Sequence, residues 1–255
     1  MRIAMGVEYD GAGFHGWQIQ VGVRTVQEDL EQALSKVADH PIRVQCAGRT
    51  DTGVHGVGQV VHFDTEAERP TRSWLLGTNT NMARDLNVTW AQPVAEEFHA
   101  RFSATNRSYR YVILNRMTRS ALLRNHAVWS HRPLDELRMH EAAQLLVGTH
   151  DFSSYRALGC QAKSPVRTIS EISVRRQEDR VIIELNANAF LHHMVRNIAG
   201  VLMAIGRGEQ PVAWSREILE RRDRTQGGVT APPQGLYLMH VGYPEQFNIP
   251  EPPPF

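Results

Sequence analysis

Apolar residues near the start of the chain follow first a strand pattern and then a helix pattern. They alternate with smaller or polar residues from Ile3 to Tyr9, which predicts a strand that ends at Asp10. Thr25 and Glu28 then form a capping box, which predicts that a helix begins there. The apolar face of this helix consists of Val26, Leu30, Leu34 and Val37.

The two patterns recur along the rest of the chain. Strands are predicted over residues 42–46, 57–63, 88–94, 109–114, 166–174, 181–187 and 236–241. Helices are predicted over residues 74–83, 134–147, 190–205 and 212–222. The order β-α-β-β-α-β therefore occurs twice, and it is the order of ferredoxin-like and RNA-recognition domains.

This repeated order predicts an α+β fold built from two ferredoxin-like (RRM-like) halves. We expect their strands to form one continuous antiparallel sheet, with helices packed on it and a central active-site cleft. The predicted boundaries are 1–104 for the N-terminal half, which carries the candidate catalytic loop, and 105–244 for the C-terminal half. Residues 245–255 are rich in proline and are predicted to form an extended C-terminal arm.

The composition is that of an ordinary globular protein and excludes several classes. Of the 255 residues, 42% are hydrophobic and 22% are charged, which excludes a disordered or fibrous chain. The longest apolar stretch, 198–206, is far shorter than the ~20 residues of a membrane span, and the N-terminus has no signal-peptide core. Only two cysteines, Cys46 and Cys160, are present, which excludes a disulfide framework or a cysteine metal cluster and favours a cytoplasmic location.

The net charge hides an uneven distribution along the chain. The totals of 28 Lys and Arg against 27 Asp and Glu argue, on their own, against a nucleic-acid partner. However, residues 1–100 contain 8 basic and 13 acidic residues, whereas residues 101–255 contain 20 and 14. Residues 101–132 contain seven arginines and no acid. Codon bias explains the excess of arginine over lysine but not a stretch without acids, which favours a polyanionic partner.

A glycine-rich segment at residues 11–16 matches the dinucleotide-binding pattern G-x-G-x-x-G. In that pattern the third glycine begins a helix whose N-terminus holds a pyrophosphate, whereas here no helix is predicted before Thr25. We therefore interpret the segment as a surface loop. Its exposed Phe14, His15 and Trp17 are predicted to contact a substrate.

A second segment, Asp51-Thr52-Gly53, matches the signature of aspartic proteases. Protease chemistry needs two carboxylates that share one proton, and the chain contains no second copy of the signature. Residues 46–55 are then a polar loop between two predicted strands. Two interpretations stay open: a plain turn, or a carboxylate held rigid at a cleft with a basic residue beside it.

Two adjacent histidines fall within the predicted helix 190–205. On a helix, the side chains of His192 and His193 would point about 100° apart, which does not suit one metal ion. No acid or further histidine lies three or four residues away, so we predict packing or hydrogen-bonding histidines and no metal site.

Tyr109 and Tyr111 share one face of a predicted strand, between Arg107 and Arg110. One interpretation is a pair of half-buried strand tyrosines. The other is a ring stacked on a base, next to arginines that bind phosphates.

Six segments stand in an order that is specific as a set. They are residues 9–18 (YDGAGFHGWQ), 48–55 (GRTDTGVH), 98–102 (FHARF), 109–111 (YRY), 188–197 (NAFLHHMVRN) and 235–238 (GLYL). The set resembles the signatures of the TruA-type tRNA pseudouridine synthases, in which the second segment is similar to the catalytic loop. The resemblance covers nearly the whole chain.

The resemblance implies an isomerase without a cofactor. Such an enzyme breaks the N1–C1′ bond of uridine, rotates the base and rejoins it through C5. The resemblance further implies modification of positions 38, 39 and 40 in the anticodon arm of tRNA by a homodimer. A base inside a stem must be flipped out to react, at a cost of a few kcal/mol.

The resemblance also assigns roles to residues. Asp51 would be the essential carboxylate, and Arg196 would keep its pKa low through its opposite charge. Tyr109 would stack on the flipped uracil and assist proton transfer at C5, while Arg49 would occupy the space that the base leaves. The expected substrate-binding set is Arg49, Tyr109, Phe14, His15, Trp17, Arg107, Arg110 and Leu236, with residues 101–132 contacting phosphates.

Two other functions remain open at this point. One is a pseudouridine synthase that acts on another structured RNA. The other is a non-catalytic RNA-binding module that has the same architecture.

Overall fold

A computed structural model describes residues 1–255, which fold into ten strands and five helices. The strands are β1 (Arg2–Tyr9), β2 (Gln45–Cys46), β3 (His55–Asp64), β4 (Leu86–Val94), β5 (Asn106–Asn115), β6 (Val128–Ser130), β7 (Gly148–Asp151), β8 (Val166–Gln177), β9 (Arg180–Ala187) and β10 (Leu236–Gly242). The helices are α1 (Val26–Ala38), α2 (Thr78–Thr80, which continues a π-helical turn over Ser73–Gly77), α3 (Glu136–Gln144), α4 (Met194–Gly206) and α5 (Trp214–Arg221). No helix combines the length and the apolar character that crossing a membrane requires. The predicted α+β class is confirmed, because most strand pairs are antiparallel and helices pack on them.

The chain divides into two compact units whose bounds differ from the predicted ones. Unit 1 comprises residues 1–105 and 237–255, and unit 2 comprises residues 106–236. The last strand and the C-terminal arm therefore belong with the first unit, although the sequence placed the strand in the second half. The reason is that β10 pairs in parallel with β3, and the amide of Thr105 donates to the carbonyl of Gly242 at 2.9 Å.

Unit 1 has the strand order of a ferredoxin-like domain. Its antiparallel strands run β4-β1-β3-β2, and β10 joins β3. Alternation along β1 places Ile3, Met5 and Val7 in the core, where they meet the apolar face of α1. The predicted strand and helix are confirmed here. However, the hydroxyl of Thr25 makes no capping hydrogen bond, so the predicted capping box does not form.

Unit 2 contains the antiparallel strands β5-β9-β8-β7, with β6 in parallel on β5. The strands predicted over 166–174 and 181–187 are confirmed as β8 and β9, and they form a hairpin that turns at Glu178, whose φ is +53°. Helix α3 packs on β8 and on α4, so the apolar face of each is buried. The short strands β6 and β7 were not predicted, because three or four residues show too little alternation.

The C-terminal arm is held against unit 1. The side-chain amide of Gln92 donates to the carbonyls of Phe247 and Asn248, at 3.3 and 3.1 Å. Farther along, the ring of Phe255 lies 5.1 Å from that of Tyr237. Residues Glu245–Phe247 form a 3₁₀ turn and Asn248 has a φ of +47°, so this part of the arm is not extended as predicted, and the arm packs on the unit.

Candidate active site

The loop between β2 and β3 carries Asp51, and a tight turn fixes the backbone of the loop there. Gly53 has a φ of +75°, a conformation that a side chain would strain. The amide of Val54 donates to the carbonyl of Asp51 at 3.1 Å, which closes a tight turn. The side chain of Asp51 is half-buried at this turn. The sequence left a plain turn and a rigid carboxylate open, and the structure contains a turn that fixes the backbone of Asp51.

Buried hydrogen bonds hold this loop from below. The hydroxyls of Tyr9 and Thr50 lie 2.8 Å apart in the interior, and the amide of Trp17 donates to the carbonyl of Thr50 at 3.0 Å. On the other side, the side-chain amide of Gln59 donates to the carbonyl of Gly48 at 2.6 Å. Because these partners come from β1, β3 and the opening loop, the position of Asp51 depends on the fold of unit 1.

His55 contacts residues of two other sequence motifs, a role that the sequence analysis did not predict. Its ring is buried, and its Nδ1 accepts a hydrogen bond from the amide of Gly11 at 3.0 Å. It stacks on the ring of Tyr237 with the centroids 4.6 Å apart. The available signal was its place at the end of the segment 48–55. The segments 9–18, 48–55 and 235–238 therefore meet at this histidine.

The structure corrects the predicted exposure of the opening loop. Phe14 and Trp17 are 2% and 1% exposed, so neither ring is a surface contact for a substrate. The guanidinium of Arg24 covers Phe14 at 4.2 Å, and Trp17 packs against Tyr9 with the centroids 6.0 Å apart. Only His15 of the predicted trio is exposed. The two large rings instead form the base of the loop that supports Asp51.

Arg24 also ties the opening loop to a helix and to a strand. Its guanidinium forms two hydrogen bonds with Asp85, at 2.6 and 2.8 Å, and contacts Asp29 of α1 at 2.7 Å. Asp85 immediately precedes β4, and the hydrogen bond from Arg24 holds the pKa of this carboxyl below its ordinary value. This bidentate pair fixes the loop more firmly than a single contact would.

In unit 2, the strand β5 and the segment that follows β9 come together. The ring of Tyr109 is half-buried and meets Phe190 edge to face, with the centroids 5.0 Å apart. Tyr111 is fully buried, and its hydroxyl donates to the carbonyl of Pro232 at 2.7 Å. Burial raises the pKa of Tyr111. Of the two tyrosines, Tyr109 alone is available to a ligand.

The arginines beside Tyr109 already have partners within unit 2. Arg107 donates through Nη1 to the carbonyl of Asn188 at 3.0 Å. Arg110 forms an ion pair with Glu184, with Nε and Oε1 2.8 Å apart, and Arg175 binds the same carboxylate. Both arginines therefore stabilise the sheet, and their predicted contact with phosphate stays a prediction.

His192 and His193 do not lie on the helix, which corrects the prediction. Helix α4 begins at Met194, and His193 is the residue before it, with a φ of +61°. The two rings lie 4.0 Å apart, so the divergence of side chains along a helix does not apply to them. The predicted start of the helix was wrong because Phe190 and Leu191 fit its apolar spacing but lie in an irregular segment before it.

Arg196 lies in the first turn of α4 and is half-buried. Its Nε donates to the carbonyl of Ala231 at 2.8 Å, and the amide of Ala231 donates back to the carbonyl of Arg196 at 3.1 Å. These bonds fix the guanidinium group at its base. Leu236, the last residue of unit 2, is buried, so it is not an exposed substrate contact.

Residues 101–132 contain no acid, but acidic residues from other parts of the chain contact them. Three of its seven arginines form ion pairs with acidic residues that lie far along the chain. These pairs are Arg110 with Glu184, Arg116 with Asp179, and Arg132 with Glu209. The positive potential of this stretch is therefore weaker than the sequence predicts.

Comparison with known proteins agrees with this arrangement of motifs. A family described as tRNA pseudouridine synthase matches residues 5–103 and 142–244. The chain is similar to three proteins named tRNA pseudouridine synthase A. The protein of Alcanivorax borkumensis is 57% identical over 253 residues, which cover 99% of this chain and 95% of that protein. Those of Pseudoalteromonas atlantica and Methylococcus capsulatus are both 59% identical, over 98% of this chain and over 95% and 92% of their own lengths.

Proposed function

Because the chain belongs to the tRNA pseudouridine synthase family, we propose that it isomerises uridine to pseudouridine at positions 38, 39 and 40 in the anticodon arm of tRNA. The N1–C1′ bond breaks, a C5–C1′ bond forms, C5 loses its proton and N1 gains one. No atom and no electron is gained or lost overall. The overall reaction therefore consumes no oxidant, reductant or group donor.

Asp51 is proposed as the essential carboxylate. The observation that carries this proposal is the pinned turn from Thr50 to Val54, which holds a half-buried carboxylate in one place. Preorganisation of this kind is what catalysis requires of a group that acts on a bound ribose or base. Arg196 is proposed as the cation that keeps the catalytic carboxylate ionised, in line with its anchored Nε.

The target base is proposed to flip out of the stem and stack on Tyr109. The half-buried ring of Tyr109, held by Phe190 at 5.0 Å, supports this role because a fixed aromatic face needs no ordering when the base arrives. Arg49, which is exposed in the Asp51 loop, is proposed to fill the space that the base leaves. His15 completes the proposed contacts from the opening loop.

The proposal includes a homodimer in the cytoplasm. Cys46 and Cys160 form no disulfide, which suits a reducing compartment that contains tRNA. The dimer follows from the family resemblance, and light scattering of the purified protein tests it.

The variant Asp51→Asn tests the proposed function. It removes the charge with little change of volume, so we expect the variant to bind tRNA within about threefold of wild type and to lose roughly a thousandfold or more of its turnover. Pseudouridine formation and tRNA affinity are both measured on unmodified transcripts. The control is Glu66→Gln, which neutralises an exposed carboxylate of the same unit and should leave both quantities unchanged.

Three results would contradict the proposal in different ways. Turnover by Asp51→Asn near the wild-type rate would show that another group carries the reaction. Conversion of uridine in another structured RNA, with none in tRNA, would favour the alternative substrate. Binding of tRNA without any conversion by the wild type would favour a non-catalytic module.

A further inference from the structure

The turn 98–103 in unit 1 holds an aromatic ring out in solvent. Phe102 is 75% exposed, whereas Phe98, at the start of the same turn, is fully buried against Tyr243 and Phe247. A single exposed apolar side chain is common on protein surfaces, so a contact role depends on the groups that surround the ring. The sequence motif FHARF spans this turn, and the roles proposed above do not use it.

The backbone of this turn is fully hydrogen bonded. Every amide from Phe98 to Ser103 donates to a partner at 3.3 Å or less. Among the carbonyls, that of Phe98 accepts from Arg2 at 2.8 Å, and that of Ala100 accepts from the hydroxyl of Tyr243 at 2.6 Å. A turn held in this way keeps the Phe102 ring exposed at little further entropic cost when a ligand binds.

His99 fixes the direction of the exposed ring. Its Nδ1 accepts from the amides of Arg101 and Phe102, at 3.1 and 3.3 Å. Its own ring lies 4.3 Å from the ring of Phe102, and the Cζ atom of Arg101 lies 5.5 Å from the same ring. An exposed aromatic ring beside a guanidinium is the pair of groups that binds the faces and the phosphates of single-stranded nucleotides.

The turn is bonded to the strand next to β2, from which the loop of Asp51 continues. The amide of Ala100 donates to Nδ1 of His62 in β3 at 3.1 Å, and His62 pairs with Gln45 of β2. Arg101 in the turn and Arg49 in the loop are both exposed. The turn that carries Phe102 and the loop that carries Arg49 are therefore anchored on neighbouring strands.

We propose that Phe102 stacks on an unpaired nucleobase of the tRNA substrate, with Arg101 beside it on the adjoining backbone. The inference rests on the proposed function and adds a second aromatic contact, distinct from Tyr109, outside the reacting base. An anionic aromatic partner fits the exposed ring better than an apolar protein surface does, because the guanidinium of Arg101 lies beside the ring.

Three substitutions of Phe102 test the proposal in the Asp51→Asn background, where turnover does not alter the RNA. We expect Phe102→Ala to raise the Kd for an unmodified tRNA transcript roughly 5- to 50-fold, since the stacking contact is lost. Phe102→Leu keeps apolar area without an aromatic face and should weaken binding similarly. Phe102→Trp should bind within about twofold of the parent. The control is Leu137→Ala, which truncates an exposed apolar side chain outside residues 101–132 and should leave Kd unchanged.

The same variants in the active enzyme separate the outcomes. If wild type converts tRNA and Phe102→Ala shows an unchanged Kd and KM, the stacking proposal is wrong while the proposed function stands. Full binding by Phe102→Leu would also overturn it, because apolar area alone would then suffice. A changed oligomeric state in Phe102→Ala with unchanged tRNA affinity would assign the ring to a protein contact instead. Absence of conversion by the wild type is a failure of the proposed function.

Discussion

Single glycines and hydroxyls help to position the loop that carries Asp51, the proposed catalytic carboxylate. Gly11 is the clearest case, since a Cβ atom at this position would lie 2.0 Å from the carbonyl oxygen of Val54. The glycines of the G-x-G-x-x-G pattern thus serve close approach of two backbone segments, as they do in nucleotide-binding loops, but here the neighbour is the Asp51 loop. The segment therefore matches the dinucleotide-binding pattern and shares its use of glycine for close backbone approach. It does not share the helix that begins at the third glycine and holds a pyrophosphate.

The variant Gly11→Ala should therefore disturb the site. We expect a loss of about 1–3 kcal/mol in the free energy of unfolding, because the methyl group must displace backbone rather than a flexible side chain. Turnover should fall by more than the folded fraction explains, since the displaced segment ends the turn of Asp51. Urea unfolding and initial rates on tRNA measure the two effects.

Gly13 provides the matched control within the same motif. A Cβ atom there would lie 3.2 Å from a side-chain oxygen of Asp85, so it meets a side chain that needs to give by only a few tenths of an ångström, not backbone. We expect Gly13→Ala to stay within about 0.5 kcal/mol of wild type. Equal effects of the two substitutions would show that the close approach at Gly11 does not control the site.

At the scale of elements, the turn 98–103 depends on a strand that precedes it by many residues. His62 of β3 is buried, and its Nδ1 accepts from the amide of Ala100 at 3.1 Å. Burial lowers the pKa of His62 to about 4, helped by the neighbouring His99 and Arg2. The neutral ring is therefore the form that holds the turn, because a doubly protonated imidazole has no acceptor.

This contact predicts a pH dependence of stability. In the unfolded chain His62 regains an ordinary pKa near 6.5, so the unfolded state binds a proton first as the pH falls. Stability is full above that value and is lost between pH 6.5 and about 4, by an amount on the order of 2 kcal/mol. Unfolding of wild type and His62→Gln at several pH values measures the effect. The stability difference between them should narrow on acidification, and a constant difference would refute the assignment.

The periodicity of apolar residues predicted most of the helices and strands, and there are physical reasons why it did not predict the others. Long strands such as β8 and the amphipathic helix α1 show their period clearly, whereas β6 and β7 are too short to show one. The boundary of α4 was wrong because apolar residues also fill the irregular segment before it. The place of β10 in unit 1 depends on pairing with β3, which no local pattern records.

At the scale of the whole molecule, neither the net charge nor the local charge describes the surface. The ion pair of Arg116 with Asp179 joins residues 63 apart in sequence, and the acid-free stretch gave no sign of it.

The sequence also does not show whether an aromatic residue in a loop is buried in the core or exposed on the surface. Phe14 and Phe102 both lie outside the strands and α-helices, yet one is buried under Arg24 and the other is exposed. Such distinctions arise from tertiary contacts, so the motifs identified the candidate site whereas the structure was needed to assign its contacts.

The proposed substrate is tRNA, and the proposed target is its anticodon arm. The most direct test is incubation of the purified protein with unmodified tRNA transcripts, followed by mapping of pseudouridine at nucleotide resolution. We predict new pseudouridine at positions 38, 39 and 40 wherever a transcript carries uridine there, and none with Asp51→Asn. Pseudouridine confined to other positions, or none in any transcript, would contradict the account.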